Sequence, residues 1–301
     1  MNYQLELVKS YSLSHFPSGS SINFRNNYLY LVGDDATNLL ILDANYCKID
    51  SIRIQSYPAK RIPKPLKADL EASVFVTIKG LEYLMIIGSA STLLREKVVL
   101  IPMAPSGLRV EQLNIISDSV FIGRIKALGI TEINIEGATV IGNSLVLGNR
   151  SNRKSGVNHL IITDLDFWGR QLEANLTLIP IGIPAGAAAE FPSVSELCYW
   201  ADGDLLLLTL SCEHTDNAYD DGVIGNSYLG WINNISKKMH LSLVMVDKLI
   251  NLPETHENFR TEKIEGLCVE IVQGNTLTLH LISDNDNGES KLFKVNLIVD
   301  E

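Results

Sequence analysis

Short apolar runs recur along this chain in a fixed order, separated by Gly, Asn and Asp. Five segments open with Ser or Glu, continue as an apolar run, turn, and return as a second apolar run that ends near polar residues. The segments begin at Ser20, Glu71, Glu136, Ser195 and Glu265. Runs rich in Leu and β-branched residues between turn residues are typical of β-strands. A repeat of ~40–60 residues built from such strands predicts the blades of a β-propeller.

Further strands complete each repeat. A third apolar run follows every pair, and a fourth follows in four of the repeats, where it reads SIRIQ, QLNII, ANLTLI or LSLVMV. The fifth repeat has no fourth run, whereas LELVKSYSL near the N-terminus belongs to no repeat. We therefore predict an all-β fold, a propeller of five four-stranded blades whose N-terminal strand pairs with the C-terminal blade. Such closure leaves no long sheet edge unpaired.

One segment interrupts the repeats. The sequence SDSVFIGRIKALG, within residues 117–135, has apolar positions at helical spacing after a Ser/Asp start, which predicts a short helix between blades. A sixth, degenerate blade at this place is the alternative. No linker rich in Pro, Ser or Gly divides the chain, so we expect one domain over residues 1–301.

The charge balance narrows the class of partner. The chain carries 25 Lys and Arg against 35 Asp and Glu, a formal net charge of -10, which repels the phosphates of nucleic acids and anionic lipids. We expect neither nucleic acid nor a membrane as partner, and the oligomeric state stays open. The N-terminus has no signal-peptide pattern, which indicates a cytoplasmic protein unless a leader has been removed. The four cysteines lie far apart without CxxC spacing, so we expect free thiols.

The residues that open the repeats are the strongest candidates for a functional site. The first strand of each propeller blade lines the central channel, so Ser20, Glu71, Glu136, Ser195 and Glu265 should form one ring. Three like charges in a narrow channel are costly unless a cation neutralises them. Oxygen ligands suit Ca²⁺ better than Mg²⁺, which demands stricter geometry. We predict a central Ca²⁺; the alternative is that the glutamates cap strand starts or hydrogen-bond neighbouring blades in a water-filled channel.

The order of these residues carries a family resemblance. Ser, Glu, Glu, Ser and Glu at the blade starts, with GDDAT, LGNRSNR and KIEGLCVEI, resemble the calcium-dependent soluble apyrases. Through RIPKPLKADLEAS, NIEGATVIGNSLVLGNR, DDGVIGNSYLGWI and SDNDNG, most of the chain also resembles an uncharacterised bacterial family of phytase-like and esterase-like propellers, and this match is the closer one. The apyrase resemblance implies a five-bladed nucleotidase with a calcium ion on its axis.

The apyrase resemblance also implies roles for individual residues. The implied metal ligands are Ser20, Glu71, Glu136, Ser195 and Glu265. The implied catalytic cluster consists of Asp34, Asp35, Arg150 and Glu213. In such a cluster a carboxylate would position or activate water, and an arginine would hold phosphate oxygens. The chain departs from the apyrase pattern at Ala36, Asn149 and His214.

Two functional classes follow from these patterns. In the first, the protein is a calcium-dependent hydrolase of a phosphorylated or other anionic small molecule. In the second, the ion only stabilises the blades, and the loops bind a ligand or a protein without catalysis. The sequence contains no HExxH, GxSxG, P-loop or dinucleotide motif, so it gives no support to metalloprotease, serine-hydrolase or nucleotide-fold functions.

Three polar segments each leave two interpretations open. The run Asp284–Asn287 either binds a second cation or forms an Asx-rich turn. His214 is either a general base or a solvated loop residue. The segment AKRIPKPLKAD, residues 59–69, either attracts an anionic substrate to the channel mouth or is a solvated loop stiffened by its prolines.

Overall fold

Five small sheets contain the strands of this protein. The computed structural model describes residues 3–152, 156–213, 222–285 and 288–299. Within them, the first strands of the five sheets contact one another in a closed ring around an axis. This arrangement is a five-bladed β-propeller, and the predicted fold class and blade number are confirmed. No sixth sheet occurs among the described residues.

The strands follow the chain order blade by blade. Blade 1 contains β2 (Gly19–Arg25), β3 (Tyr28–Gly33), β4 (Asn38–Asp43) and β5 (Lys48–Arg53). Blade 2 contains β6 (Leu70–Ile78), β7 (Leu81–Gly88), β8 (Lys97–Ala104), β9 (Gly107–Leu108) and β10 (Asn114–Ser117). Blade 3 contains β11 (Ile135–Ile141), β12 (Ser144–Asn149), β13 (Asn158–Asp164), β14 (Leu176–Gly182) and β18 (Val244–Met245). Blade 4 contains β15 (Ser193–Trp200), β16 (Leu205–Glu213), β17 (Ile224–Asn233) and β19 (Lys248–Asn251). Blade 5 contains β20 (Ile264–Gln273), β21 (Thr276–Asp284), β22 (Ser290–Val299) and β1 (Tyr3–Leu13).

The N-terminal strand closes the ring as predicted. β1 runs antiparallel to β22, from Tyr3 opposite Val299 to Leu13 opposite Ser290. Alternate residues of β1 turn inward, because successive side chains of a strand point to opposite faces. The ring of Tyr3 lies 4.5 Å, centroid to centroid, from that of Trp231 in blade 4. The closing strand is therefore bound to its own blade by backbone hydrogen bonds and to the neighbouring blade by aromatic packing.

The core consists of five apolar layers, one between each pair of adjacent blades. Each layer combines the facing side chains of two sheets. The layer between blades 2 and 3 also receives Phe121, Ile122 and Ile125 from the helix α1 (Ser119–Ala127). The helix predicted within residues 117–135 is thus confirmed, and it adds apolar volume at this blade interface.

One predicted strand belongs to a different blade. The run LSLVMV was expected to be the fourth strand of blade 4, but its residues Val244–Met245 pair in parallel with β14 of blade 3. The fourth strand of blade 4 is instead Lys248–Asn251, which pairs with β17. The apolar side chains Val244 and Val246 are buried between the two blades, so the segment ties blade 3 to blade 4.

Short helices complete the described structure. They are α2 (Leu252–Thr255) and the 3-10 turns Leu93–Arg95, Val110–Gln112, Phe167–Gly169, Ile235–Lys237 and Glu257–Phe259. In the described part of the chain, no helix has the length and apolar character needed to cross a membrane. The four cysteines are free thiols, as expected.

Candidate functional site

The five repeat-opening residues occupy one recurring structural position. Near the start of the first strand of each blade, the register with the second strand skips one residue, which forms a β-bulge. The skipped residues are Ser20, Glu71, Glu136, Ser195 and Glu265. A bulge leaves its extra residue without a ladder partner and redirects its side chain. All five residues are buried, on strands that surround the propeller axis.

Arg150 brings several of these side chains together. It follows β12 directly, and its Nη1 lies 3.7 Å from Glu136 Oε2 and 3.8 Å from Glu265 Oε1. The same nitrogen donates a hydrogen bond of 3.2 Å to Ser195 Oγ. Its Nη2 donates one of 2.9 Å to Glu213 Oε2. One buried guanidinium therefore connects blades 3, 4 and 5 at the channel.

Lys263 adds a second buried cation on this side of the channel. Its Nζ lies 2.8 Å from Glu265 Oε1 and 3.2 Å from Glu213 Oε2. Burial opposes the charged form, but Glu265 and Glu213 outweigh it and hold the pKa of Lys263 well above its ordinary value. Burial also tends to raise the pKa of Glu213, yet Lys263 and Arg150 lower it to about 2. Protein cations thus neutralise part of the ring charge, for which the sequence predicts a Ca²⁺ ion.

The opposite side of the channel holds a cluster of three carboxylates, Asp34, Asp69 and Glu71. One oxygen of each lies within 4.8 Å of the others. Lys67 contacts Asp34 directly and lies 2.7 Å from Asp69 Oδ1. Arg95 Nη1 lies 2.6 Å from Asp69 Oδ2. We call Asp34, Asp69 and Glu71 the carboxylate cluster.

Glu71 is the member of the carboxylate cluster that has no partner. It is only 8% exposed, and it forms no hydrogen bond or ion pair with the described residues. Burial, followed by the charges of Asp69 and Glu136, raises its pKa well above the ordinary value. Burial also raises the pKa of Asp34 to about 7 in spite of Lys67, and Asp34 Oδ1 is buried without a hydrogen-bond partner. Either protons or a cation would relieve this unbalanced charge.

The charge balance of the whole site fits a divalent cation. In the described part of the chain, its carboxylates are Asp34, Asp69, Glu71, Glu136, Glu213 and Glu265. Its cationic groups are Lys67, Arg95, Arg150 and Lys263. Fully ionised, the site carries two negative charges more than positive ones. Oxygen ligands without thiol or imidazole groups suit a hard ion such as Ca²⁺ or Mg²⁺.

Two residues predicted for the site have other partners. Ser20 Oγ donates a hydrogen bond of 2.6 Å to the carbonyl of Leu70, which connects blades 1 and 2. Asp35 pairs with Arg61, whose Nη2 lies 2.7 Å from Asp35 Oδ2. Of the four residues predicted for catalysis, Asp34, Arg150 and Glu213 lie in the channel cluster and Asp35 lies beside it.

A pocket of about 280 Å³ adjoins the carboxylate cluster. Asp34 and Asp35 line one part of it, and Arg61, Lys64 and Lys67 line another. The predicted basic segment 59–69 therefore places three cationic side chains at the edge of the acidic site.

Sequence reasoning missed Asp69 and Lys263. Each stands two residues before a bulge residue, Asp69 before Glu71 and Lys263 before Glu265. Asn134 holds the same place before Glu136, and its Nδ2 donates a hydrogen bond of 2.5 Å to Glu136 Oε1. Residues i and i+2 of a strand share a face, so the position two before each repeat-opening residue was the available signal.

A buried polar network closes the channel one residue further along the first strands. Ser21 Oγ of blade 1 donates a hydrogen bond of 2.6 Å to Glu196 Oε2 of blade 4. Glu196 Oε1 accepts one of 3.1 Å from the backbone N–H of Ala138 in blade 3. Ser73 of blade 2 donates through its hydroxyl to Ser21 Oγ at 2.8 Å. Four blades thus meet across the axis, and this network forms the floor of the site.

The structure describes the run Asp284–Asn287 only in part. Asn285 Oδ1 accepts a hydrogen bond of 3.1 Å from the backbone N–H of Lys263, and its Nδ2 donates one of 2.8 Å to Glu262 Oε2. These bonds join Asn285 to the residues just before β20. Asp286, Asn287 and His214 lie outside the described residues.

Solved structures share the fold at low sequence identity. The glutaminyl cyclase of Myxococcus xanthus matches with a TM-score of 0.54 and 11% identity, over 99% of this chain and 98% of that chain. The xyloglucan PUL GH43B protein of Bacteroides ovatus matches with a TM-score of 0.50 and 11% identity, over 95% of this chain and 54% of that one. Identities this low show the propeller fold alone, since one fold carries many chemistries.

Sequence comparison gives a family without a known activity. No curated protein matches the sequence, and the apyrase-like and phytase-like resemblances gain no support beyond the propeller fold. The model of DUF6929, a family of unknown function, matches residues 15–297. Because this match covers nearly the whole chain, the protein belongs to that family.

Proposed function

We propose that this protein is a hydrolase that depends on a divalent cation, with Ca²⁺ preferred, and acts on a phosphorylated or other anionic small molecule. The observation that carries the proposal is Glu71. Its buried carboxylate has no partner among the described residues and lies beside Asp34 and Asp69. Asp34 in turn lines a pocket with three cationic side chains. An acidic site next to a basic pocket suits a cation and an anionic substrate together.

The carboxylate cluster would hold the cation. Asp34, Asp69 and Glu71 offer oxygens at mutual distances that one ion can bridge, and a divalent ion would balance the two excess negative charges of the fully ionised site. Ca²⁺ accepts irregular arrangements of oxygen ligands more readily than Mg²⁺. When bound, such an ion polarises a phosphoryl or carbonyl oxygen as a Lewis acid.

The residues around the adjoining pocket would bind the substrate. Arg61, Lys64 and Lys67 line the pocket and would attract the anion. Asp34 also lines it, so a cation held by the carboxylate cluster would lie next to the bound anion. The Arg150 guanidinium is bound to Glu213 and Ser195, so its role would be to hold the ring together rather than to grip the substrate.

Hydrolysis assays test this proposal. Nucleotides, phytate and simple phosphate and carboxylate esters are offered to the wild type with CaCl₂ or with a chelator, and to the variants Asp34→Asn and Glu71→Gln. We expect turnover that requires Ca²⁺ and falls by about 100-fold or more in each variant. Glu173→Gln, an exposed carboxylate of blade 3, is the matched control and should retain full activity.

A second measurement separates cation binding from catalysis. Calorimetric titration with CaCl₂ should show one site in the wild type and in Glu173→Gln, and none in Glu71→Gln. Absence of binding to the wild type would contradict the cation site itself.

A binding propeller with a structural ion is the second candidate. The observation that favours it is that Arg150 and Lys263 are both engaged with carboxylates of the channel. These ion pairs connect blades, and they leave neither cation available to a phosphate. Saturable Ca²⁺ binding that raises thermal stability, without turnover of any compound in the panel, would select this candidate over the hydrolase.

A further inference from the structure

A larger cavity lies away from the channel, between the closing strand and the outer half of blade 1. Its volume is about 590 Å³, which is within the usual range for small-molecule sites. One wall comes from residues 11–17, and the other comes from β4, β5 and residues 58–60. It shares no lining residue with the pocket beside Asp34. We call it the closure cavity, because the strand that closes the propeller forms one of its walls.

The inner surface of the closure cavity is apolar. Phe16, Leu40, Leu42 and Tyr46 line it and are all buried. Hydroxyl and amide groups also line it, from Ser12, Ser14, Thr37, Asn38 and Ser51. An apolar body with a few polar groups around it is the usual composition of a site for an organic ligand.

The charged side chains of the closure cavity are all basic. Lys48, Arg53 and Lys60 line it, and its described lining contains no Asp or Glu. The whole chain carries ten more acidic than basic residues, so a purely basic lining is opposite in sign to the protein as a whole. Charge complementarity therefore favours an anionic ligand.

Tyr46 is a fixed part of the cavity lining. Its backbone has a φ of 72° in the turn between β4 and β5, where its N–H donates a hydrogen bond of 3.0 Å to the carbonyl of Asp43. Its hydroxyl is hydrogen-bonded at 2.9 Å to Nδ1 of the buried His280, whose Nε2 lies 2.9 Å from Glu270 Oε2. Lys9 Nζ lies 5.0 Å from the centroid of the Tyr46 ring. The ring is thus fixed in place, with a cation nearby, as part of the cavity lining.

We propose that the closure cavity binds a small organic anion with an aromatic body, such as an aromatic carboxylate or sulfonate. The aromatic body packs against Phe16 and Tyr46, and the acidic group is held by Lys48, Arg53 and Lys60. The site is separate from the carboxylate cluster, so the proposal does not depend on cation binding or on hydrolysis.

Fluorescence titration with 8-anilinonaphthalene-1-sulfonate tests the proposal. The full chain should bind one equivalent saturably, and added NaCl should weaken the binding. The uncharged N-phenyl-1-naphthylamine should bind at least about tenfold more weakly, because it lacks the group that the basic side chains hold.

Variants locate the bound probe. The double variant Lys48→Gln/Lys60→Gln should bind the sulfonate at least about tenfold more weakly than the wild type. Lys79→Gln/Lys248→Gln, which removes two exposed lysines from blades 2 and 4, is the matched control and should bind as the wild type does. The proposal is overturned if the two double variants bind equally, if the uncharged compound binds as tightly as the sulfonate, or if no saturable binding occurs.

Discussion

At the scale of single residues, buried charges decide how this propeller is held together. Arg150 and Lys263 neutralise Glu213 and Glu265, and Glu196 joins blades across the axis. A fold tolerates ionised buried carboxylates only when they have such partners, since an unpaired buried charge lowers the stability of the folded state. Glu71 departs from this rule, which is why it is the best single indicator of a ligand.

The ion pairs of blade 5 give a pH-dependent prediction. The hydrogen bond from His280, and the nearby Lys294, lower the pKa of Glu270 from 4.5 to about 2. A carboxylate with a lowered pKa stabilises the fold above its unfolded pKa, and this contribution is lost as the pH falls toward the folded value. Glu270→Gln should therefore cost about 1 kcal/mol of unfolding free energy near neutral pH, a modest value because the side chain is only partly buried.

Urea denaturation of the wild type and of Glu270→Gln across the acidic pH range measures the difference in their unfolding free energies. The gap between wild type and Glu270→Gln should narrow below a pH of about 4.5 and close near 2. A gap that stays constant with pH would show that the Glu270 charge is not its source. Glu173→Gln serves as the control and should track the wild type throughout.

At the scale of elements, the first strand of each blade combines a bulge with close contact to the next blade. Gly137 directly follows the bulge residue Glu136, and a Cβ at Gly137 would lie 2.6 Å from the backbone nitrogen of Leu197 in blade 4. Backbone atoms cannot move aside as a flexible side chain can. Blade 3 therefore needs a residue without a side chain at this place.

Substitution at Gly137 tests this packing. Gly137→Ala should force blades 3 and 4 apart and lower the free energy of unfolding by about 1–3 kcal/mol, as measured by urea denaturation. Gly123→Ala is the matched change, because Gly123 lies inside α1 with no atom near its added Cβ. It should stabilise the protein by about 0.5–1 kcal/mol. Equal effects of the two substitutions would contradict the proposed role of Gly137.

At the scale of the whole molecule, stability depends on closing the ring. β1 covers β22 along its length and packs Tyr3 against Trp231. Without β1, blade 5 would expose an unpaired strand edge, which favours association between chains.

Deletion of residues 1–13 tests the contribution of closure. The truncated chain should unfold roughly 10 °C or more below the full chain and should associate, as followed by thermal melting and light scattering. A peptide of residues 3–13 added to the truncated chain should restore both properties, and a scrambled peptide should not. A truncated chain that is monomeric and as stable as the full one would refute the role of closure.

The candidate site was predictable in its residue types but not in its balance of charge. Ser and Glu at matching places in five repeats indicated a ring, and all five proved to be buried bulge residues. Lys263 stands two residues before Glu265, but no spacing rule connects it to its second partner Glu213, or Lys67 to Asp34. The strand Val244–Met245 was assigned to the wrong blade for a related reason, since its apolar pattern fits the edge of either neighbouring sheet.

The sequence by itself determined the blade number, the closing strand and the recurring inward position, because these depend on local periodicity and on the order of repeats. Only the tertiary structure decided which carboxylates are neutralised by Arg150 and Lys263, and that Glu71 is left without a described partner. Coulomb interactions and desolvation depend on distances through space between groups far apart in the chain. Charge pairing is therefore fixed only when the ring closes.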